Sequence, residues 1–181
     1  MWQKLNKCYP PQFELIPLLL LVLTFYVALS NYLALPDTIP IDFNIRGIPD
    51  EWVNKNLIFL YPGLSTFIYL LFTSINIWFA VTKDPKSLIN LPTKWKASLS
   101  DLQTEKLRVV LNRCLFIMKV LVQSLSTYLL YISIEIALGR ASNLGTLFAL
   151  LILAIFTITG LMVWRSLQIV RATVPPYSQI D

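Results

Sequence analysis

The sequence predicts an all-α integral membrane protein with four transmembrane helices and both termini on the cytoplasmic side. Of its 181 residues, 56% are hydrophobic and only 14% are charged, whereas soluble domains carry about 25% charged residues. Four apolar stretches each reach about 20 residues, enough to cross the hydrocarbon core as a helix. Lys and Arg gather in alternate connecting segments, and this bias predicts the orientation.

The first apolar segment covers about residues 15–35, and Pro17 falls in its first turn, where proline is tolerated. A basic N-terminus and Ala28-x-Ser30 would suit a cleaved signal peptide. However, the apolar stretch is longer than a usual signal-peptide core, so we expect a retained anchor helix. The remaining predicted spans, all within one domain, cover about residues 57–81, 114–138 and 144–164.

Three soluble segments connect or follow these spans: an outer loop at 36–56, a cytoplasmic loop at 82–113 and a C-terminal tail at 172–181. Ser100 and Gln103 fit a capping box. We therefore expect the third helix to begin there and to run unbroken into the membrane, with a cytoplasmic extension. In the cytoplasmic loop, Leu88, Ile89, Leu91 and Trp95 are expected in the membrane interface, with Lys94 and Lys96 at the headgroups. The tail is expected to be extended and mobile.

The distribution of basic residues predicts the topology. If the N-terminus is cytoplasmic, only Arg46, Lys55 and Arg140 lie outside. The net charge of +5 then sits on the cytoplasmic face, where the topology signal explains it. Anionic lipid or an acidic partner is the alternative, and nothing indicates nucleic-acid binding. The basic residues predicted inside are Lys4, Lys7, Lys83, Lys86, Lys94, Lys96, Lys106, Arg108, Arg113, Arg165 and Arg171.

The outer loop is the soluble segment with the most specified chemistry. Its prolines restrict the backbone and its Asp, Asn and Gly residues favour turns, so a stiff hairpin is predicted. Asp50 is expected to cap the second span, with Glu51 in the first helical turn. Clustered acidic groups could also receive a basic peptide. The residues assigned to ligand binding or packing are Pro36, Asp37, Pro40, Asp42, Asn44, Gly47, Pro49, Asp50 and Trp52.

Composition argues against a metal site, a cofactor or an enzyme. The chain has no histidine, which removes the usual general base and the commonest metal ligand. Asp42-x-Asn44 resembles the opening of a calcium loop, but Arg46 and Val53 stand where oxygen ligands are required. Cys8 and Cys114 are interpreted as ordinary thiols.

The outer loop also carries a family resemblance. The pattern LPDxIPxxFNxxGxPDxWxxK, from Leu35 to Lys55, continues into Leu57, Leu60 and Pro62. It resembles a bacterial membrane domain of unknown function at the N-terminus of SdpI-like proteins, some of which give immunity to a secreted peptide toxin. Asp42 stands where that family usually has histidine. The resemblance implies a bacterial inner membrane, or another energy-transducing membrane, and a role in sensing, signalling or immunity.

The third span contains a row of polar residues at every fourth position. Its ends lie roughly 24 Å apart along the helix, so they cannot pair with each other. On the interpretation that we favour, Lys119 extends inward beside Arg113 and Glu135 reaches Arg140 at the outer interface. The alternative is a polar track for a proton, an ion or a peptide. The row comprises Lys119, Gln123, Thr127, Tyr131 and Glu135.

These features predict recognition, sensing or immunity through the outer loop. The alternative is an accessory or assembly subunit of a larger membrane complex. Gly145 and Ala149 would permit close helix approach within the bundle or to a partner, including a second copy. A transporter is disfavoured, because four spans leave little room for alternating access. The expected partners are the lipid bilayer, a peptide at the outer loop and other membrane proteins.

Overall fold

The computed structural model describes residues 6–82, 96 and 99–171, which form four long helices and one β-hairpin. Short 3₁₀ segments flank α1 and lead into α2. All four helices are long and apolar enough to cross a membrane, as predicted. The elements are α1 (Leu15–Asn31), β1 (Thr38–Phe43), β2 (Pro49–Asn54), α2 (Leu60–Val81), α3 (Asp101–Ala137) and α4 (Gly145–Arg171).

The third helix begins where the capping box predicted. The Ser100 hydroxyl accepts from the Gln103 amide at 3.3 Å, and the Gln103 side chain accepts from the Ser100 amide at 3.0 Å. The extension below the predicted span is packed rather than free-standing, because Leu107 is fully buried and Arg108 nearly so. The predictions for residues 83–95 and for the tail at 172–181 lie outside the described residues.

Helix α3 is the centre of the bundle and packs along α1, α2 and α4. Side-chain contacts show that α1 runs parallel to α3, whereas α2 and α4 run antiparallel to it. One end therefore carries the β-hairpin and the α3–α4 connection, and we call it the hairpin end. The opposite end carries residues 6–14, the start of α3 and the end of α4, and we call it the basic end.

The hairpin is the main departure from a purely helical fold. Strands β1 and β2 pair antiparallel, with Ile39 opposite Val53 and Pro40 opposite Trp52. Asn44 forms the turn, because its side-chain oxygen accepts from the amides of Arg46 at 2.9 Å and Ile48 at 3.2 Å. Such Asx contacts, together with the alternation of Ile39, Ile41 and Phe43 along β1, favour strands over helix.

The prediction that Asp50 caps the second span is wrong. Asp50 and Glu51 lie in β2, and the strand continues until Asn54. It is Asn54 that caps the 3₁₀ turn leading into α2, its side chain accepting from the Asn56 amide at 2.9 Å. Cross-strand pairing of residues 49–54 therefore delays the start of helical structure by one turn.

The hairpin is anchored to the bundle at its base and at its turn. At the base, Ile39 is fully buried and packs in a cluster contributed by α1, α2 and α3. At the turn, the Gly47 carbonyl accepts from the Leu144 amide at 2.9 Å. The hairpin is thus held against the helices at both ends of its length. The cluster comprises Ala28, Leu35, Ile39, Ile58, Tyr61, Leu130 and Ile134.

Candidate functional site

The candidate loop residues divide into those that build the hairpin and those that it displays. Pro40 is buried, Gly47 and Pro49 are half-buried, and Asn44 is used by the turn. Asp37 is exposed and lies 3.8 Å from Lys55 Nζ. The Phe43 amide donates to Asp42 Oδ1 at 2.8 Å, and the Asp42 side chain is exposed. The displayed members are Pro36, Asp37, Asp42, Asn44, Asp50 and Trp52.

The hairpin also displays apolar side chains, and only Trp52 among them belongs to the candidate residues named from the sequence. Ile45 at the turn is fully exposed, and Ile48 and Trp52 each expose nearly half of their surface. Beside the turn, a groove of about 640 Å³ runs between the hairpin and the start of α4, lined by Asp42, Phe43, Leu129, Thr146 and Phe148 among others. The hairpin therefore exposes both acidic and apolar side chains.

Charges at this end are partly neutralised within the chain. Asp37 pairs with Lys55, and Glu135 lies 3.4 Å from Arg140, as predicted. Asp42, Asp50 and Glu51 make no ion pair with any described residue, and they outnumber Arg46, the remaining basic group of the hairpin. The exposed surface of the hairpin is therefore acidic.

The expectation that Lys119 extends inward beside Arg113 is wrong. The Lys119 side chain is fully buried, and its Nζ lies 2.6 and 2.7 Å from the two carboxylate oxygens of Glu14. It also donates to the Thr73 hydroxyl at 3.1 Å. Arg113 instead donates to the Cys8 carbonyl at 2.8 Å. Pairing with Glu14 at the same depth makes extension to the membrane surface unnecessary.

Tyr9 completes the surroundings of this ion pair. Its hydroxyl donates to Glu14 Oε1 at 2.6 Å, and its ring stacks on Phe116. Burial raises the pKa of the Tyr9 phenol above its ordinary value, and the contact with Glu14 raises it further. The phenol therefore keeps its proton at neutral pH and remains a donor to the carboxylate.

The other members of the polar row differ in their burial and in their hydrogen-bond partners. Thr127 meets Thr24 of α1 at 2.7 Å, as expected for a hydrogen bond between neighbouring helices. Gln123 is fully buried, but neither atom of its side-chain amide has a described partner. Tyr131 is about half exposed, so it points away from the interior contacts. The row drifts around the helix, and Lys119 and Thr127 are the members that bond to Glu14 and to Thr24 of α1, respectively.

Several buried polar contacts lie off the predicted row. Asn76 donates to the carbonyl and the side chain of Asn112 at 3.0 and 3.1 Å. The Arg108 guanidinium donates to the carbonyls of Ala80 and Thr82, both at 2.9 Å. The partners in these contacts are 26 to 36 positions apart, so the local spacing of residues in the sequence does not indicate that they meet. An arginine against the last carbonyls of α2 neutralises the negative end of that helix.

Comparison with known families bears on the hairpin rather than on the whole bundle. A family model described as "Domain of unknown function (DUF1648)" matches residues 19–66. The match contains most of α1, the complete hairpin and the first turns of α2. The chain therefore contains a segment similar to a domain of unknown function, in a four-helix membrane protein. No curated protein and no solved structure matches the chain.

Proposed function

We propose that this chain is a small membrane protein that recognises a ligand through the hairpin end, facing outward. The observation that carries the proposal is the anchored hairpin itself. Its base is buried at Ile39 and its turn is tied to Leu144, while Ile45 and Trp52 remain exposed. A surface held in place before binding loses little entropy when a ligand docks.

The chemistry of this surface favours a cationic, partly apolar peptide. Asp42, Asp50 and Glu51 offer unpaired carboxylates, and Ile45 and Trp52 offer apolar contact. Tryptophan is enriched among the residues that dominate binding energy. A role in sensing or immunity, as in the SdpI-like proteins that the loop resembles, would require such a surface.

The test is direct binding in zwitterionic lipid nanodiscs, with a synthetic 20-residue Lys/Leu amphipathic peptide as the probe and empty nanodiscs as the blank. The triple variant Asp42→Asn, Asp50→Asn, Glu51→Gln removes three charges. It keeps a side-chain oxygen at position 42 that can accept the hydrogen bond from the Phe43 amide. We expect at least a tenfold loss of affinity, since each charge contributes about 0.5–1 kcal/mol at an exposed interface.

The matched control is Asp101→Asn, which removes an exposed carboxylate at the basic end. We expect it to bind the probe as the wild type does. If the triple variant binds within twofold of the wild type while remaining folded, the hairpin acids do not form the recognition surface.

A second candidate function, an accessory subunit of a larger complex, is favoured by the outer face of α4. This helix packs mainly on α3, and a side chain placed at Gly160 would meet nothing within 4 Å. Gly145, by contrast, faces Tyr128 within the chain. Gentle solubilisation followed by native electrophoresis separates the two functions. Co-migration with one defined assembly would support the subunit role, and migration alone or as a homo-oligomer would support the recognition role.

A further inference from the structure

A cavity of about 700 Å³ opens at the basic end, opposite the hairpin. Its walls are the Lys7–Cys8 segment, the first turns of α3 and the last turns of α4. It lies outside the recognition surface proposed above. The two sites can therefore be tested independently.

The polar wall of the cavity is strongly basic. Lys7, Lys106, Arg108 and Arg165 line it, against the single carboxylate of Glu105. That carboxylate already lies 3.3 Å from Arg108 Nη2. Among the described residues, no other carboxylate lies within ion-pair distance of Lys7, Lys106 or Arg165. The cavity thus presents uncompensated positive charge.

Arg108 is held rigidly in the basic wall of the cavity. Its two terminal nitrogens are fixed on the carbonyls of Ala80 and Thr82, so the guanidinium cannot rearrange freely. Its Nε is buried and has no described hydrogen-bond partner. A buried N–H without an acceptor costs about 1–3 kcal/mol. The Arg108 guanidinium is therefore a fixed positive charge on the wall of the cavity.

The rest of the lining is mostly apolar and comes from the same two helices. Leu102, Val109 and Val110 of α3 and Ile169 of α4 form this apolar wall. Lys106 lies about 46 Å along α3 from the hairpin end of that helix, which matches the full thickness of a bilayer with its headgroups. Trp164, beside Arg165 at 5.2 Å, is typical of the same boundary.

We propose that this cavity binds the phosphate headgroup of an anionic phospholipid, whose acyl chains lie along the apolar wall. The basic side chains supply charge-assisted hydrogen bonds to the phosphate. A free phosphate would use only the polar wall, whereas a lipid uses both. Basic pockets between transmembrane helices are known to hold such headgroups.

The experiment is native mass spectrometry of the full chain from detergent micelles supplied with phosphatidylglycerol or with phosphatidylcholine of the same acyl chains. We expect retained phosphatidylglycerol, and roughly tenfold or greater loss of its binding in Lys106→Gln/Arg165→Gln. Arg140→Gln/Arg171→Gln is the matched control, since it removes two exposed charges that do not line the cavity. Arg108 is left intact because it also holds the end of α2.

Three results would overturn the proposal. Equal retention of the two lipids would show no headgroup selection. Equal loss in both double variants would show a general charge effect. Competition by inorganic phosphate at the same concentration as the lipid would show a site for a soluble anion. A thermal melt of each variant confirms that it is folded, and none of these outcomes depends on the peptide-binding experiment.

Discussion

The Lys119 ammonium lies 2.6 Å from Glu14 Oε2 and 2.7 Å from Oε1, and so joins the N-terminus of α1 to the middle of α3. Thr73 adds a contact from α2 at 3.1 Å, and the rings of Tyr69 and Phe116 lie beside the ammonium at 5.5 and 5.4 Å. Three helices therefore meet at one ion pair. A buried charge with this many partners is costly to expose, so the pair specifies how the helices align.

Removing one partner of this pair should destabilise the bundle. Glu14→Gln leaves the fully buried Lys119 without its counter-charge, and we expect a loss of about 3 kcal/mol in the free energy of unfolding. Titration with sodium dodecyl sulfate in mixed micelles measures it. The control is Glu135→Gln, which breaks the exposed pair with Arg140 and should cost less than about 1 kcal/mol.

Replacement of both Glu14 and Lys119 by apolar residues tests the same ion pair in a second way. Glu14→Leu with Lys119→Met removes both charges together, and we expect it to recover most of the stability lost by Glu14→Gln. Equal stability of wild type and Glu14→Gln would show that the ion pair does not hold the helices together.

Features that depend on local spacing can be predicted from the sequence. The four spans follow from the lengths of the apolar stretches, and Ser100 was found because a capping box needs only Gln103 three residues later. The pair of Glu135 with Arg140 is equally local. Such features involve residues close together in the sequence, so they depend little on which elements meet in the fold.

Features that depend on which elements meet could not be predicted in this way. The sequence indicates only how far Lys119 lies from the nearer membrane surface. It does not indicate the contact with Glu14, because that residue is 105 positions away. Asp50 and Asn54 both suit a helix cap, and only cross-strand pairing decides between them. A buried anchor such as Ile39 likewise depends on the clustering of three helices.

The close approach of Gly47 to Leu144 should make the hairpin turn sensitive to substitution. Gly47 has φ +72°, and an added Cβ would lie 3.2 Å from Leu144 Cβ. Gly139 has φ +71° but open space around it, so Gly139→Ala meets only the backbone penalty of about 1 kcal/mol. We expect Gly47→Ala to cost about 1 kcal/mol more, because the contact with Leu144 must also shift.

Hydrogen exchange at Leu144 gives the matching local measurement. Its amide donates to the Gly47 carbonyl at 2.9 Å, so Gly47→Ala should speed its exchange while Gly139→Ala leaves it closer to wild type. Equal exchange of Leu144 in both variants would mean that the hairpin turn is not anchored through this contact.

Gln123 tests whether each member of the polar row contributes to stability. Its amide is fully buried, and neither of its polar atoms has a partner among the described residues, so Gln123→Leu should be neutral or stabilising by about 1 kcal/mol. Thr127→Val loses the contact with Thr24 and should cost about 0.6 kcal/mol. Unfolding in mixed micelles measures the free energy of unfolding of both variants and of the wild type. A loss above 1 kcal/mol for Gln123→Leu would contradict this expectation, because it would mean that the buried amide makes a stabilising contact.

Labelling of single cysteines tests the orientation on which outward recognition depends. In a Cys8→Ala/Cys114→Ala background, Ile45→Cys places a thiol on the fully exposed turn, and Arg171→Cys places one at the exposed end of α4. The excess of Lys and Arg at the basic end predicts that this end stays in the cytoplasm. An impermeant maleimide added to intact cells should therefore label Ile45→Cys at once and Arg171→Cys only after lysis. The reverse pattern would put the hairpin in the cytoplasm, where it could not meet a peptide arriving from outside.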